Sequence, residues 1–143
     1  MGECKIAVED KPSTETRDAI VALLRAYNGT KVEKPIFEPL AVVLRDSESD
    51  EIIGGLWGES YGGWLYVDSL IVPKAFRKSG KGRLLMKEAE AIARKRECIG
   101  IWLDTHTFQA PAFYEKLGYQ LLGKLRDFPR GYDKHYYFKR IVP

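Results

Sequence analysis

Apolar residues recur along this chain in two rhythms. Between Ser13 and Tyr27 they fall three and four apart. Ala19, Ile20, Leu23, Leu24 and Tyr27 form one stripe, which predicts an amphipathic helix capped by Ser13 or Thr14. The same rhythm returns between Gly80 and Arg96. There Leu85, Ala89, Ile92 and Ala93 share a face, and Lys87, Glu88, Glu90, Arg94 and Lys95 are polar. A shorter helix is predicted over Phe108–Leu117, stopped by Gly118. Elsewhere the rhythm is that of extended chain. Strands are predicted at Lys5–Val8, Leu40–Arg45, Glu51–Glu59, Trp64–Val72, Cys98–Asp104, Tyr119–Leu125 and His135–Ile141. Strict alternation puts Trp64, Tyr66, Asp68, Leu70 and Val72 on one face. The polar turn Asp46–Asp50 and the Tyr61-Gly62-Gly63 turn join three strands into an antiparallel meander. The polar stretch Asn28–Pro39, broken by Gly29 and two prolines, reads as a loop. Mixed strands and helices of this kind predict an α/β fold. No repeat, linker or low-complexity tract interrupts it, so one domain over 1–143 is expected.

Composition narrows the class. The chain has 143 residues, 45% hydrophobic and 30% charged, which are ordinary globular values. They exclude a largely disordered, collagen-like or mucin-like chain. No apolar run approaches the length of a membrane span. The start, MGECKIAVEDK, carries an acid and no apolar core, so no secretory leader is expected. Cys4 and Cys98 lie far apart in sequence and suggest no disulfide framework, which predicts a reduced, cytoplasmic setting. No His/Cys cluster has metal-ligand spacing, and no metal is expected.

Charge is unevenly distributed. The net charge is only +3, but residues 1–72 hold 7 basic and 13 acidic residues, and 73–143 hold 16 basic and 7 acidic. Lys74, Arg77, Lys78, Lys81 and Arg83 follow one another without an intervening acid. Such asymmetry points to an anionic ligand on the C-terminal half, or to solvated helix faces. No nucleic-acid motif accompanies it, so no nucleic-acid partner is expected.

The sharpest local signal is Arg77-Lys78-Ser79-Gly80-Lys81-Gly82, between the strand end Ile71-Val72-Pro73 and an amphipathic helix. A helix start leaves backbone N–H groups without partners and adds partial positive charge. Gly80 and Gly82 would let that backbone approach a phosphate. The spacing fits neither the P-loop nor the dinucleotide fingerprint. An ordinary strand–helix turn would look the same. A second segment, Phe113-Tyr114-Glu115-Lys116-Leu117-Gly118-Tyr119, closes a helix and opens a strand. A tyrosine there suits either core packing or chemistry.

Together, Arg77-x-x-Gly80-x-Gly82 and Ala110-x-x-Phe113-Tyr114-x-Lys116-x-Gly118-Tyr119 resemble the motifs of the GNAT superfamily of acetyltransferases. The resemblance covers roughly residues 64–122 by motif and the whole chain by element order. It implies a mixed, mostly antiparallel sheet of 6–7 strands, splayed between the fourth and fifth predicted strands and flanked by about four helices. It implies acetyl-CoA as co-substrate. The backbone of Arg77, Lys78, Ser79, Gly80, Lys81, Gly82 and Arg83 would bind the pyrophosphate, and Leu70, Ile71 and Val72 would pair with the pantetheine arm. Thr107 stands where many members have Asn, with Gln109 as a substitute cofactor contact. Tyr114 would protonate the departing thiolate.

The general base is not given by the resemblance. Where histone-modifying members carry Glu, this chain has Tyr66. Asp68 and His135 are the candidates, with Glu59 and His106 nearby in the pattern. The implied activity is acetyl transfer to a primary amine of a small molecule or peptide, by direct attack in a ternary complex. The alternative is a non-catalytic acyl-CoA-binding regulatory module. Trp57, Tyr61, Trp64, Phe128 and Tyr132 offer aromatic walls for an acceptor, Glu59 and Asp68 offer negative charge for a cationic amine, and Arg130 would suit a carboxylate instead. The aromatic Tyr136-Tyr137-Phe138 strand would serve a homodimer or be covered within one chain.

Overall fold

The computed structural model describes residues 2–33 and 35–143. The chain divides into two compact units, Met1–Pro35 and Ile36–Pro143. The first holds helix α1 (Thr14–Asn28). Ser13 caps it, its side-chain oxygen accepting from the Thr16 N–H at 3.3 Å. Lys5–Val8, expected as a strand, has no regular secondary structure. Alternating apolar residues become a strand only where a neighbouring strand pairs with their N–H and C=O groups.

The second unit contains β1 (Glu38–Arg45), β2 (Ile52–Tyr61), β3 (Trp64–Ile71), α2 (Lys81–Lys95), β4 (Gly100–His106), α3 (Pro111–Lys116), β5 (Gln120–Arg126) and β6 (Asp133–Arg140). Its six strands form one sheet in the order β1-β2-β3-β4-β6-β5. Every neighbouring pair is antiparallel except β3 and β4. That parallel pair needs a crossover, and α2 supplies it. The fold is thus the mixed, mostly antiparallel α/β sheet expected. The helix count differs: three α-helices and one 3-10 turn, Lys74–Phe76, stand among the described residues where about four helices were implied.

Two details depart from the alternation reading. Gly58 pairs with Val67 and Trp57 with Ser69, so Asp68 has no partner and forms a β-bulge. The bulge reverses the faces beyond it. Leu65 and Val67 are buried, and Leu70 and Val72 pack against the same core. Tyr66 instead stacks on Trp102, ring centroids 4.3 Å apart. The second departure is at the C-terminus. β6 is hydrogen-bonded to β4 on one side and β5 on the other, so the aromatic final strand is interior and β5 is the edge. Tyr137 is fully buried there.

The core joins Leu56, Leu65, Val67, Ile101, Leu103 and Tyr137 of the sheet to Leu85, Met86, Ala89 and Ala93 of α2. Within it Glu90 of α2 accepts from the Tyr119 hydroxyl at 3.0 Å and pairs with Lys139 of β6 at 3.1 Å. That satisfied polar contact fixes α2 against the far edge of the sheet.

Candidate functional site

β3 and β4 pair only from Trp64–Val67 to Gly100–Leu103. Beyond that point the strands separate, and a cleft of about 1080 Å³ opens between them. One wall is Val67–Val72, and the other is Asp104–His106 with Phe113 and Tyr114 of α3. The loop before α2 and its first turn close one end. A sheet that splays leaves backbone hydrogen-bonding groups along both inner edges without strand partners. An extended ligand can take their place.

The loop is shaped for an anion. The backbone N–H groups of Lys78, Ser79, Gly80, Lys81, Gly82 and Arg83 have no acceptor among the described residues; the first one bonded is Leu84, to Gly80 O at 3.1 Å. Lys78 and Gly80 hold positive φ, 63° and 82°, which turns successive N–H groups toward one side. Arg77 directs its Nε to Val72 O at 3.1 Å, bracing the loop against the end of β3. Gly82 has a second reason to lack a side chain. A Cβ there would lie 3.1 Å from the Phe113 ring, so the absence of one lets α2 start directly against α3.

Tyr114 is 7% exposed and lines the cleft. Its ring sits edge-on to Phe113 at 5.0 Å and to Tyr119 at 6.1 Å. Its hydroxyl has no hydrogen-bond partner among the described residues. Burial, with a further contribution from the Asp104 charge, pushes its pKa up to about 12. The phenol therefore keeps its proton through the neutral and mildly alkaline range. It is available as a donor and not as a base.

Two carboxylates line the cleft, Asp68 on the wall facing Tyr114 and Asp104 on the same wall as Tyr114. Asp68 projects from the bulge and accepts from the Ser69 hydroxyl at 3.0 Å. Asp104 is the first residue of β4 past the last β3 pair. It accepts from the Tyr66 hydroxyl at 2.8 Å, and Lys134 stands 3.4 Å from its other oxygen. Burial and then this hydrogen bond push the Tyr66 pKa strongly up, so that phenol stays protonated too. Lys134 in turn lies over the Phe128 ring at 4.6 Å. Asp104 belongs to neither sequence motif. Its signal is an acid ending the compact apolar run Cys98-Ile99-Gly100-Ile101-Trp102-Leu103.

The structure thus gathers Asp68, Leu70, Ile71, Val72, Arg77, Lys78, Gly80, Lys81, Gly82, Arg83, Gln109 and Tyr114 around one cleft. Ser79, Thr107 and His135 do not line it. The Ser79 hydroxyl donates to Phe76 O and braces the loop. Thr107 ties the end of β4 to the start of β6: its hydroxyl accepts from Asp133 N–H at 3.0 Å and lies 3.3 Å from His135 Nε2. His135 is 8% exposed, and its Nδ1 is buried without a partner among the described residues. The Gln109 side-chain oxygen accepts from Thr105 Oγ1 at 3.0 Å and from His106 N–H at 2.8 Å, so its amide is held in place at the cleft wall. No group of three or more potential metal ligands occurs among the described residues. Among the described residues, no helix is long and apolar enough to cross a membrane.

Known proteins are similar to this chain in sequence and fold. Residues 8–119 match the family model described as "Acetyltransferase (GNAT) family". The acetyltransferase Atu2258 of Agrobacterium fabrum is 34% identical over 134 residues, 94% of this chain and 97% of that protein. Blasticidin-S acetyltransferase of Streptomyces morookaense is 41% identical over 95 residues, 66% of this chain and 70% of that protein. Among solved structures, an acetyltransferase from Bacillus cereus superposes with a TM-score of 0.84 at 32% identity, covering 95% of this chain and 98% of that one. With its splayed sheet, acceptor-free amide loop and matching motifs, the chain belongs to the GNAT family of acetyltransferases, and acetyl-CoA is its acetyl donor.

Proposed function

We propose that the protein transfers the acetyl group of acetyl-CoA to a primary amine of a small molecule or peptide, by direct attack in a ternary complex. The observation that carries this reading is the run of six acceptor-free amides, Lys78 to Arg83, at one end of a cleft that Tyr114 lines. A pyrophosphate on those amides directs the pantetheine arm along Leu70, Ile71 and Val72. The thioester then comes to the splay point. Backbone N–H groups of β3 there would polarise its carbonyl, and Tyr114 would protonate the sulfur as it leaves.

The acceptor side favours a cation. Asp68 and Asp104 both line the cleft. Asp68 is exposed and has no basic partner within salt-bridge distance among the described residues. An ammonium or guanidinium group on the acceptor would fit it, as on a cationic antibiotic or a polyamine. Asp68 is also the group we assign to receive the amine proton, directly or through water. His135 is assigned a structural role, since it is buried behind Thr107 and does not line the cleft. The family match runs across both units of the chain, which supports one acetyltransferase domain over 1–143. Free Cys4 and Cys98 fit the reducing cytoplasm.

The test is CoA release with a panel of amines that includes blasticidin S, spermidine and an aminoglycoside. Turnover of a cationic amine well above acetyl-CoA hydrolysis is expected. Tight acetyl-CoA binding with no acceleration by any amine would overturn the transfer reading.

A further inference from the structure

Of the five aromatic residues that the sequence offers as acceptor walls, three are placed elsewhere. Trp57, Tyr61 and Trp64 do not line the cleft. Tyr61 packs on Phe37, ring centroids 4.7 Å apart, and Trp64 lies against Gly100. Phe128 and Tyr132, on the turn between β5 and β6, instead meet two residues of the cleft wall, His106 and Phe108. The His106 ring is nearly parallel to Phe108 and to Phe128, 4° from each, at centroid distances of 5.2 and 6.0 Å. Tyr132 meets Phe108 edge-on at 4.9 Å. Backbone bonds brace this shelf. His106 donates from Nδ1 to Phe128 O at 2.9 Å, and the Phe128 N–H donates to Tyr132 O at 2.9 Å. The rings are held but not covered: Phe108, Phe128 and Tyr132 are 54%, 46% and 47% exposed. Single exposed aromatics are ordinary, whereas a contiguous patch of them at the edge of a cleft marks a binding surface.

We propose that this shelf stacks a planar aromatic or heteroaromatic ring carried by the acceptor, so that the enzyme prefers ring-bearing amines to saturated ones of the same size and charge. The proposal rests on the acetyl-transfer reading and names the acceptor class for that site. The cofactor reading uses the loop before α2 and the edge of β3, which leaves these four rings unclaimed. An amine that reaches the thioester beside Tyr114 must run the rest of its body out of the cleft. On the wall formed by Asp104–His106 it passes the shelf, and on the facing wall it passes Asp68, which has no basic partner among the described residues. A cationic amine with a planar ring matches both walls at once. Aromatic faces attract such a ring beyond what its buried area provides, because the ring quadrupoles favour offset or edge-on contact. Rings already braced by backbone bonds lose little freedom when a ligand stacks on them.

The experiment compares 2-phenylethylamine with 2-cyclohexylethylamine, which has the same carbon skeleton and charge but a saturated, puckered ring. Both are measured as substrates by CoA release, and as competitive inhibitors of whichever amine the enzyme acetylates fastest. The wild type is expected to favour the phenyl compound about three- to tenfold in kcat/KM or in inhibition constant. Phe108→Leu/Tyr132→Leu keeps apolar bulk and removes the π faces. Both residues are exposed, so the variant is expected to fold, and a thermal melt checks it. It is expected to lose most of that preference while keeping its acetyl-CoA affinity, read by calorimetry. Equal wild-type values for the two rings, or no turnover of and no inhibition by either, overturn the shelf and leave acetyl transfer standing. A folded variant that loses acetyl-CoA affinity also overturns it, since the rings then serve the cofactor. If the wild type binds acetyl-CoA but acetylates no amine, the transfer reading falls and the shelf with it.

Discussion

The Tyr66 hydroxyl reaches from β3 to the Asp104 carboxylate on β4, 2.8 Å away, where the two strands stop pairing. A side-chain hydrogen bond thus takes over where the backbone ladder ends and holds the mouth of the cleft. Tyr66→Phe keeps the stacking on Trp102 and removes only this bond. It is expected to lower stability by about 1 kcal/mol, read from urea denaturation, with little change in acetyl-CoA affinity. Loss of cofactor affinity in a folded variant would show that the contact sets the cleft width.

Tyr114→Phe keeps the ring contacts with Phe113 and Tyr119, and the hydroxyl has no hydrogen-bond partner to lose among the described residues. Stability and acetyl-CoA affinity should hold, while kcat falls by roughly 10²–10⁴-fold if this phenol is the acid. Single-turnover rates with any active amine check it. A wild-type rate where chemistry is limiting would assign the proton to water.

Gly80 and Gly82 should fail for different reasons. At Gly80 no atom lies within 4 Å of an added Cβ, but φ is +82°. Gly80→Ala is therefore expected to cost about 1–2 kcal/mol of backbone strain. At Gly82 the backbone is ordinary and the obstacle is the Phe113 ring. Gly82→Ala should weaken acetyl-CoA binding by displacing that ring, and Phe113→Leu in the same chain should recover part of the loss. Gly82→Glu should abolish binding by placing a carboxylate against the pyrophosphate. Titration calorimetry distinguishes these outcomes, and unaltered binding by Gly82→Glu would remove the loop from the site.

Stability should fall steeply in alkali. Burial raises the pKa of Tyr114 and of Tyr137 from 10.0 to about 12, and Tyr66 and Tyr119 are raised further still. Between about pH 10 and 12 the unfolded chain releases these protons and the folded chain keeps them. The unfolded state then binds fewer protons, so unfolding free energy decreases as pH rises. Their contribution is complete below pH 10. Urea midpoints at pH 8, 10 and 11 test this, and Tyr119→Phe should flatten the decline. A midpoint independent of pH over that range would contradict it.

Much of the site was legible in the chain because its parts are local. A helix start leaves its first amides without partners whatever surrounds it, so Arg77-x-x-Gly80-x-Gly82 before an amphipathic run already offers a place for an anion, although an ordinary strand–helix turn reads the same. Ser13 caps α1 for the same reason: the bond spans three residues. Tyr114 is predicted on a helix over Phe108–Leu117, and it lies on a shorter one, Pro111–Lys116, that starts at the proline.

Other features depend on residues distant in sequence. Alternation put Asp68, Leu70 and Val72 on one face with Tyr66. A single unpaired residue at Asp68 reverses that, and a bulge is set by how β2 and β3 pair. The aromatic final strand suited either a homodimer face or cover within one chain; β6 inserts between β4 and β5, a choice of strand order that no local pattern encodes. Tyr66 meets Asp104 across 38 positions, and α2 meets α3 where Gly82 faces the Phe113 ring. Backbone valence and side-chain rhythm act over one turn or one strand, and the sequence alone determines them. Which strand edges meet, and so which charges face the same space, follows from packing the whole sheet against α2.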